Sequence, residues 1–309
     1  MNSTEQYSDL GIAWVWQYDR EFVEIVEKSV QRTGLTTFRI ERHNISEFTE
    51  ALKNRQVDLG VYFDRASDED ELFQPLARYI GQHRSDIRVI NPHHLQMRAA
   101  DKATMHLEFL SHGIEVPYTI IISPYNHKQE IELSLSELAN LGRPFIIKPA
   151  NITGGGVGVV VGAETLKDIL EARQHHRNDK YLLQETVKPA YLSENRAWFR
   201  VIYAFGSVFP CWWDDQTHFY EIVTEEEEKT FGLKELRRIT DRIQSICGLT
   251  FFSTEIVYTS QSKFIVVDPV NEVCDMRVQS VHRDGVPDSV VHAIADCLAR
   301  VVTESVITL

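Results

Sequence analysis

The sequence predicts an α/β protein that becomes α+β in its C-terminal part. Up to Asn91, short apolar runs suited to strands alternate with segments of helical periodicity. Strands that alternate with helices imply right-handed crossovers and therefore a parallel sheet. Farther along, strand-like segments predominate and include one long hairpin pattern. A chain of 309 residues is long for one compact domain, so we expect two or three packed units.

The N-terminal unit, residues 1–95, shows the alternation most clearly. Its predicted strands are LGIAWVW from Leu10, TTFRIE, VDLGVYFD and IRVIN. Helices are predicted between them at 19–32, after a cap at Ser46, and at 69–82. Gly34 provides a stop for the first helix. The pair Asn91-Pro92 then marks a domain boundary.

A central unit, 96–188, and a C-terminal unit, 189–309, carry the remaining elements. The central unit has predicted helices at 101–112, 133–141 and 165–173, and strands VPYTIII, PFIIKP, VGVVV and YLLQE. In the C-terminal unit, AWFRVIYAFGSVFPCWW predicts a hairpin turned at Gly206-Ser207. Thr224 and Glu227 fit a capping box that opens a helix running to Gly248. The strands FFSTEIVYTS and KFIVVDPV precede a last helix capped near Asp288.

Composition excludes several classes of function. The formal net charge is -13, from 45 acidic and 32 basic residues, so nucleic acid is not an expected partner. No apolar stretch approaches the roughly 20 residues of a membrane helix, and the N-terminus lacks a signal-peptide pattern. Four scattered cysteines without CxxC spacing predict reduced thiols in a cytoplasmic protein. A homodimer is compatible with the sequence.

The sharpest local feature is RPFIIKPANITGGGVGVVV, in which an apolar strand delivers Lys148 shortly before three glycines. A lysine in a buried strand needs an anion, because an unpaired buried charge is costly, and glycines let the backbone approach phosphate oxygens. The alternative is a glycine-rich turn with a lysine that reaches the solvent. The segment matches neither a Walker A loop nor the dinucleotide fingerprint GxGxxG. It also differs from a protein kinase, in which the glycines come before the lysine.

A second feature is a set of oxygen ligands near the C-terminus. Glu255 lies on the strand FFSTEIVYT, and Asp268 ends the next strand and is followed by Asn271. If the two strands are neighbours, both carboxylates lie at the same end of the strand pair. Their oxygens and the amide oxygen of Asn271 are ligands that suit Mg²⁺. The alternative is that both acids are ordinary charges at strand ends.

Together these segments resemble the ATP-grasp superfamily, which includes D-alanine–D-alanine ligase, glutathione synthetase and the RimK-type glutamate ligases. The resemblance rests, in order, on DKATMHLEFLSHGIEVPYTIII, PFIIKP with the glycine run, YLLQETVKP, RAWFRVIYAFG and VVDPVNE. It covers roughly residues 92–280, and the N-terminal unit is similar to the domain that commonly precedes this fold. It therefore implies an ATP-grasp fold after a small parallel-sheet domain.

The resemblance implies roles for the matching residues. Lys102 and Lys148 would contact the phosphates of ATP, although Lys102 could equally be a surface charge on its helix. A lid of backbone donors over the triphosphate would be formed by Thr153, Gly154, Gly155 and Gly156. Adenine would lie against the strand YLLQETV, with contacts from Gln184, Glu185 and Val187, and ribose against Glu194. The metal ligands would be Glu255, Asp268 and Asn271, for Mg²⁺ or, as an allowed substitute, Mn²⁺.

The chain departs from the family in several respects, of which two concern the candidate site. The family usually ends in glutamate-x-asparagine, whereas here Pro269-Val270 separates Asp268 from Asn271. A bulge at the proline could restore the geometry, or Glu272 could replace Asn271. The arginine that often precedes the first metal carboxylate is absent, and Arg200 and Arg277 are the candidate substitutes, each able to hold an acyl phosphate or a carboxylate. For Arg277 the alternative is a surface salt bridge with Asp275.

The implied activity is that of an ATP-dependent carboxylate–amine or carboxylate–thiol ligase. A small carboxylate would attack the γ-phosphate of ATP, and an amine would attack the resulting acyl phosphate. Two alternatives remain on the same fold: a phosphotransferase that acts on an alcohol, and a protein that binds ATP without catalysis.

Overall fold

The structure, a computed structural model, describes residues 6–151 and 156–307. Its N-terminal sheet is parallel, with strand order β2-β1-β3-β4. The strands are β1 (Gln6–Trp14), β2 (Thr37–Ile40), β3 (Val57–Arg65) and β4 (Arg88–Ile90), and the helices between them are α1 (Arg20–Gln31), α2 (Ile45–Lys53) and α3 (Gln74–His83). The helix predicted at 69–82 starts later than expected, because Asp70 caps a turn at Leu72 and Pro75 suits the first helical turn.

The central sheet is antiparallel, with strand order β5-β8-β6-β7. The chain enters it through α4 (His93–Ala100) and α5 (Lys102–Ser111). Its other elements are β5 (Thr119–Ile122), α6 (Leu135–Leu141), β6 (Phe145–Pro149), β7 (Val160–Ala163), α7 (Leu166–Ala172) and β8 (Tyr181–Glu185). Helix α4, which begins directly after the Asn91-Pro92 pair, was not predicted.

The C-terminal sheet is also antiparallel, in the order β13-β12-β11-β14-β15, and a separate hairpin precedes it. The hairpin is β9 (Tyr191–Leu192) and β10 (Asn195–Arg196), and the sheet contains β11 (Trp198–Ala204), β12 (Ser207–Trp213), β13 (Tyr220–Ile222), β14 (Phe251–Tyr258) and β15 (Phe264–Asn271). Its helices are α8 (Glu225–Thr230), α9 (Lys234–Cys247) and α10 (Asp288–Ile307).

The helix predicted from Thr224 to Gly248 is wrong as one element. The capping box of Thr224 and Glu227 is present, but the helix ends at Thr230 and a second one begins at Lys234. Gly232 lies between them with a φ of 69°, in the left-handed region that a right-handed helix cannot contain. The turn of the β11–β12 hairpin lies at Phe205-Gly206, one residue before the prediction, and both residues have positive φ.

A shared hydrophobic core and a buried ion pair are among the contacts that join the N-terminal sheet to the C-terminal part of the chain. Helix α10 packs in one hydrophobic core with α1, β1 and β3. At the end of β3, the buried Arg65 forms an ion pair with Asp19 at 2.7 Å and donates to the backbone oxygen of Cys274 at 2.8 Å. The carboxyl edge of the N-terminal sheet is thereby held against the segment that follows β15. The four cysteines are buried and free, as predicted, and no helix within 6–151 and 156–307 is long and apolar enough to span a bilayer.

Candidate functional site

Lys148 joins the central sheet to the C-terminal sheet. It lies near the end of β6, is 8% exposed, and donates from Nζ to the backbone oxygen of Val267 at 2.9 Å. Burial lowers the pKa of Lys148, as does the charge of Lys102, while Asp268 and Glu255 act in the opposite direction. The alternative of a lysine that reaches solvent is therefore wrong. The ammonium group is held at the seam between two sheets, next to the predicted metal carboxylates.

Glu255 and Asp268 lie directly opposite each other on β14 and β15. Trp198 Nε1 donates to Glu255 Oε2 at 3.1 Å, and Arg200 Nη1 lies 3.5 Å from Glu255 Oε1. Burial raises the pKa of Glu255, opposed by Arg200 and reinforced by Asp268. Glu255 and Asp268 are therefore adjacent carboxylates in surroundings that disfavour their ionised forms. A hard cation bound between them would stabilise those forms.

A bulge resolves the unusual spacing before Asn271. Ser253 pairs with Asn271 and Glu255 with Asp268, so Thr254 alone opposes both Pro269 and Val270. The extra residue turns Asn271 to the face that carries Asp268, and its Nδ2 donates to Asp268 Oδ2 at 3.1 Å. The three predicted metal ligands therefore share one face of the β14–β15 pair. Across the part of the chain that the structure describes, no group of three or more His, Cys, Asp or Glu side chains is arranged to hold a metal, so a site here would rest on two carboxylates and an amide.

Glu272, the alternative ligand, lies apart from this face. It is 6% exposed, and its Oε2 has no hydrogen-bond partner among the described residues. Burial raises the pKa of Glu272 to about 7, while a hydrogen bond from its own backbone N–H and the charge of Lys102 lower it. A buried carboxylate oxygen without a partner is costly.

Lys102 is placed by the N-terminus of α5. Asp101 caps the helix by accepting from the backbone N–H groups of Ala103 at 3.0 Å and Thr104 at 3.2 Å. The backbone N–H of Lys102 donates to the oxygen of Ala150 at 2.9 Å, which fixes the helix start beside the residues that follow Lys148. Because its charge acts on both Lys148 and Glu272, Lys102 belongs to the same cluster.

His106 is a member of this cluster that sequence reasoning missed. It lies one helical turn after Lys102 on α5 and is 6% exposed. Burial lowers the pKa of His106 to about 4, and the charge of Lys148 contributes in the same direction. The only sequence signal was its i, i+4 spacing from Lys102, which puts both residues on one helix face.

Arg200 extends from β11 over the same face. Its guanidinium lies 5.1 Å from the ring centre of Trp213, and its Nε donates to Ser253 Oγ at 3.4 Å. Burial would lower the pKa of Arg200, but the fields of Tyr220, Glu255 and Asp268 outweigh it and raise the pKa. The side chain is therefore a fixed cation beside the carboxylate pair.

The residues predicted to bind adenine lie at the end of β8. Gln184 Nε2 donates to Thr119 Oγ1 at 3.1 Å. The Glu185 carboxylate accepts from the backbone N–H of Tyr118 at 2.7 Å, so it ties β8 to the start of β5. Val187 follows the strand, and within the described residues its N–H makes no hydrogen bond. The role of this segment in binding adenine stays a prediction.

For two predicted residues, no hydrogen bond or ion pair to the cluster is found among the described residues. Glu194 is exposed in the turn that joins β9 and β10. Arg277 pairs with Asp275 at 2.7 Å and with Asp284 at 2.9 Å, so the alternative of a salt bridge describes its contacts. Thr153, Gly154 and Gly155 lie outside the described residues. Gly156 has a φ of 70° and open space around its Cβ position, so its backbone conformation accounts for glycine there.

Comparison with solved structures identifies the architecture. No protein-family model matches the sequence, and no curated protein does either. The RimK-domain ATP-grasp protein of Sphaerobacter thermophilus superposes with a TM-score of 0.60 at 17% identity, covering 94% of this chain and 98% of that one. The D-alanine–D-alanine ligase of Bacillus anthracis, complexed with ATP, gives 0.66 at 16% identity and covers 98% of each chain.

A third similar structure is the macrocyclase MdnC of Microcystis aeruginosa, bound with its precursor peptide MdnA. Its TM-score is 0.60 at 15% identity, with 93% of this chain and 97% of that chain covered. At these identities the likeness concerns the fold. The chain has an ATP-grasp fold with a parallel α/β domain at its N-terminus, which confirms the predicted fold class.

Proposed function

We propose that this ATP-grasp protein is an ATP-dependent ligase that activates a carboxylate as an acyl phosphate and joins it to an amine. The observation that carries the proposal is the convergence of Lys102 and Lys148 with Glu255 and Asp268 across two sheets. Phosphoryl transfer from ATP requires cationic side chains that bind the phosphates and, next to them, carboxylates that bind a metal ion. The similar structures include several ATP-grasp ligases, which favours a ligase over an alcohol phosphotransferase or a protein that only binds ATP.

In the proposed first step, a substrate carboxylate oxygen attacks the γ-phosphorus of ATP. The bond from that phosphorus to the bridging oxygen breaks, and ADP leaves with the electron pair. Lys148 and Lys102 hold the phosphate oxygens during this step. Because Lys148 is fixed through Val267 to β15, it places the phosphates next to Glu255 and Asp268 without a large reorganisation.

The carboxylate face fits a divalent metal. Glu255, Asp268 and Asn271 would hold Mg²⁺, or Mn²⁺ in its place, and the ion when bound would neutralise charge on the phosphates. Trp198 and Arg200 orient the Glu255 carboxylate from its other side. The PsnB ligase, a similar structure at 13% identity, has been solved with Mg and ADP.

In the second step, the amine nitrogen attacks the acyl carbon. A C–N bond forms, phosphate leaves with the electrons of the C–O bond, and the nitrogen loses its proton. Arg200 is positioned to hold the departing phosphate, because its guanidinium lies beside the carboxylate pair. Water must be excluded during this step, because it would otherwise hydrolyse the acyl phosphate.

The test begins with ADP release from the unmodified protein and a panel of small carboxylates, amino acids and acidic peptides. Peptides are included because PsnB and MdnC were solved with precursor peptides. Hydroxylamine in the assay converts an acyl phosphate into a hydroxamate and so distinguishes a ligase from an alcohol phosphotransferase. If no carboxylate yields both ADP and hydroxamate, the proposed function is wrong.

The variant Asp268→Asn tests the metal face. It keeps the side-chain shape and removes one ligand charge, so we expect ADP formation to fall more than about a hundredfold while ATP still raises the unfolding temperature. Asp296→Asn is the matched control, since Asp296 is an exposed residue of α10 paired with Arg32. Near-normal turnover of Asp268→Asn would contradict the assignment of this face.

A further inference from the structure

Strand β15 carries two β-bulges in the segment that holds the proposed metal ligands. The first inserts Val267 between the residues that pair with Ile256 and Glu255 of β14. The second inserts one residue opposite Thr254. Each inserted residue shifts by one position the alternation of side chains between the two faces of the sheet.

The two bulges decide which side chains of β15 face the core. Val266, before the first bulge, and Val270, at the second, are both buried in the hydrophobic core that the sheet shares with α9. In a regular strand, Asp268 would lie on the same face as these two valines. The bulges instead place Asp268 on the opposite face, together with Glu255 and Asn271. The proposed metal face therefore depends on both bulges.

At each bulge, a side chain donates to a backbone oxygen of β15. At the first bulge, Lys148 Nζ donates to the oxygen of Val267 at 2.9 Å. At the second, Thr254 Oγ1 donates to the backbone oxygen of Asp268, also at 2.9 Å. Thr254 is 0% exposed, so water does not compete for this bond. The next residue, Pro269, has no N–H, so the hydroxyl supplies a cross-strand bond beside a residue that cannot donate one.

We propose that Thr254 is a positioning residue for the metal face, because its hydroxyl fixes the second bulge and thereby the orientation of Asp268 and Asn271. This inference rests on the proposed function and adds a residue that acts only through the ligands. Thr254 alternates with Ser253 and Glu255 along β14, so its side chain lies on the core face. Groups that orient metal ligands without touching the ion change metal affinity by about 10- to 100-fold when they are removed.

The experiment compares Thr254→Val, which replaces the hydroxyl by a methyl group, with Thr254→Ser, which keeps the hydroxyl. Thr240→Val is the matched control, since Thr240 is also 0% exposed and its Oγ1 donates to the backbone oxygen of Leu236 at 2.8 Å within α9. The probe is Mn²⁺ in the presence of ADP, because the electron paramagnetic resonance signal of free Mn²⁺ measures binding without turnover. We expect the Kd for Mn²⁺ to rise about tenfold or more in Thr254→Val. Thr254→Ser and Thr240→Val should bind Mn²⁺ like the unmodified protein.

Urea unfolding without metal and nucleotide separates this positioning role from support of the fold. Both valine variants lose one buried hydrogen bond from a hydroxyl to a backbone oxygen, so their unfolding midpoints should fall by similar amounts. Only Thr254→Val should combine this loss of stability with a loss of Mn²⁺ affinity. Thr254→Ala removes the hydroxyl without adding a methyl group and replaces Thr254→Val if the valine does not fit. If neither variant folds, the hydroxyl supports the fold itself and the inference is overturned.

The two proposals fail in different ways. An unmodified protein that binds no Mn²⁺ with ADP refutes the metal face of the proposed function, and the role of Thr254 with it. Binding by the unmodified protein together with an unchanged Kd in Thr254→Val overturns only the role of Thr254. The same holds if the Kd rises equally in Thr240→Val, because metal affinity then follows stability, or equally in Thr254→Ser, because the hydroxyl is then not the cause.

Discussion

Replacing Lys148 by methionine separates the contribution of its charge to ATP binding from its contribution to the fold. Methionine keeps most of the aliphatic stem that lies in the seam and removes the ammonium group. In the protein without ATP, that group makes a hydrogen bond of 2.9 Å to the Val267 oxygen. Losing a hydrogen bond from a charged donor costs roughly 1.5–3 kcal/mol, while removing a buried charge returns a similar amount.

The two effects oppose each other, so we expect the free energy of unfolding of Lys148→Met to stay within about 1 kcal/mol of the unmodified protein. ATP binding has no such compensation. A hydrogen bond between charged groups contributes roughly 1.5–3 kcal/mol, which corresponds to a loss of affinity between about tenfold and about 150-fold. The charge of Lys102 remains nearby, so binding should weaken and not disappear.

Isothermal calorimetry with ATP measures the affinity, and urea unfolding measures the stability. Lys167→Met is the matched control, since Lys167 lies on α7 of the same sheet unit with its side chain 79% exposed, paired with Glu171. We expect it to bind ATP normally. An unchanged ATP affinity in a folded Lys148→Met would refute the phosphate-binding role. A large loss of stability would instead show that the bond to Val267 is the main role of Lys148.

Two further predictions concern the nucleotide and the pH. The adenine segment from Gln184 to Val187 should prefer ATP over GTP, because guanine reverses the donor and acceptor pattern, and equal rises in unfolding temperature with both nucleotides would contradict this placement. Burial lowers the pKa of His106 from 6.5 to about 4, so as pH falls through this range the unfolded chain binds a proton that the folded protein does not, and the free energy of unfolding should drop by up to roughly 3 kcal/mol. Urea unfolding at several pH values should show that His106→Leu loses this pH dependence and that His43→Gln keeps it. An unchanged pH dependence in His106→Leu would refute the burial of a neutral imidazole.

Much of the fold followed from patterns that are local in the chain. The alternation of strands and helices up to Asn91 reflects which faces must be buried, and it yields a parallel sheet whatever the rest of the chain does. Similarly, the capping box of Thr224 and Glu227 uses groups three residues apart. The break at Gly232 was missed because a glycine within a helical pattern can be tolerated or can end the helix, and long-range packing selects between the two.

The residue types of the candidate site were also chosen from sequence patterns. A lysine at the end of an apolar strand predicts a nearby anion, because a buried charge needs a partner. Carboxylates on two successive strands predict a site for a hard cation. Their convergence depends on how two sheets meet, which no local pattern specifies. The bond from Lys148 to Val267 links residues in different sheets and holds the predicted phosphate-binding cation beside the predicted metal face.

The sequence by itself determined the fold class and the residue types of the candidate site, because strand and helix periodicity and the cost of burying charge act over short stretches of chain. Only the tertiary structure decided that Asn271 shares the face of Asp268, since an extra residue in β15 reverses the alternation of side chains along the strand. Burial likewise depends on neighbours that are distant in sequence. For that reason the burial of His106 and of Glu272 became visible only when the tertiary structure had brought their neighbours together.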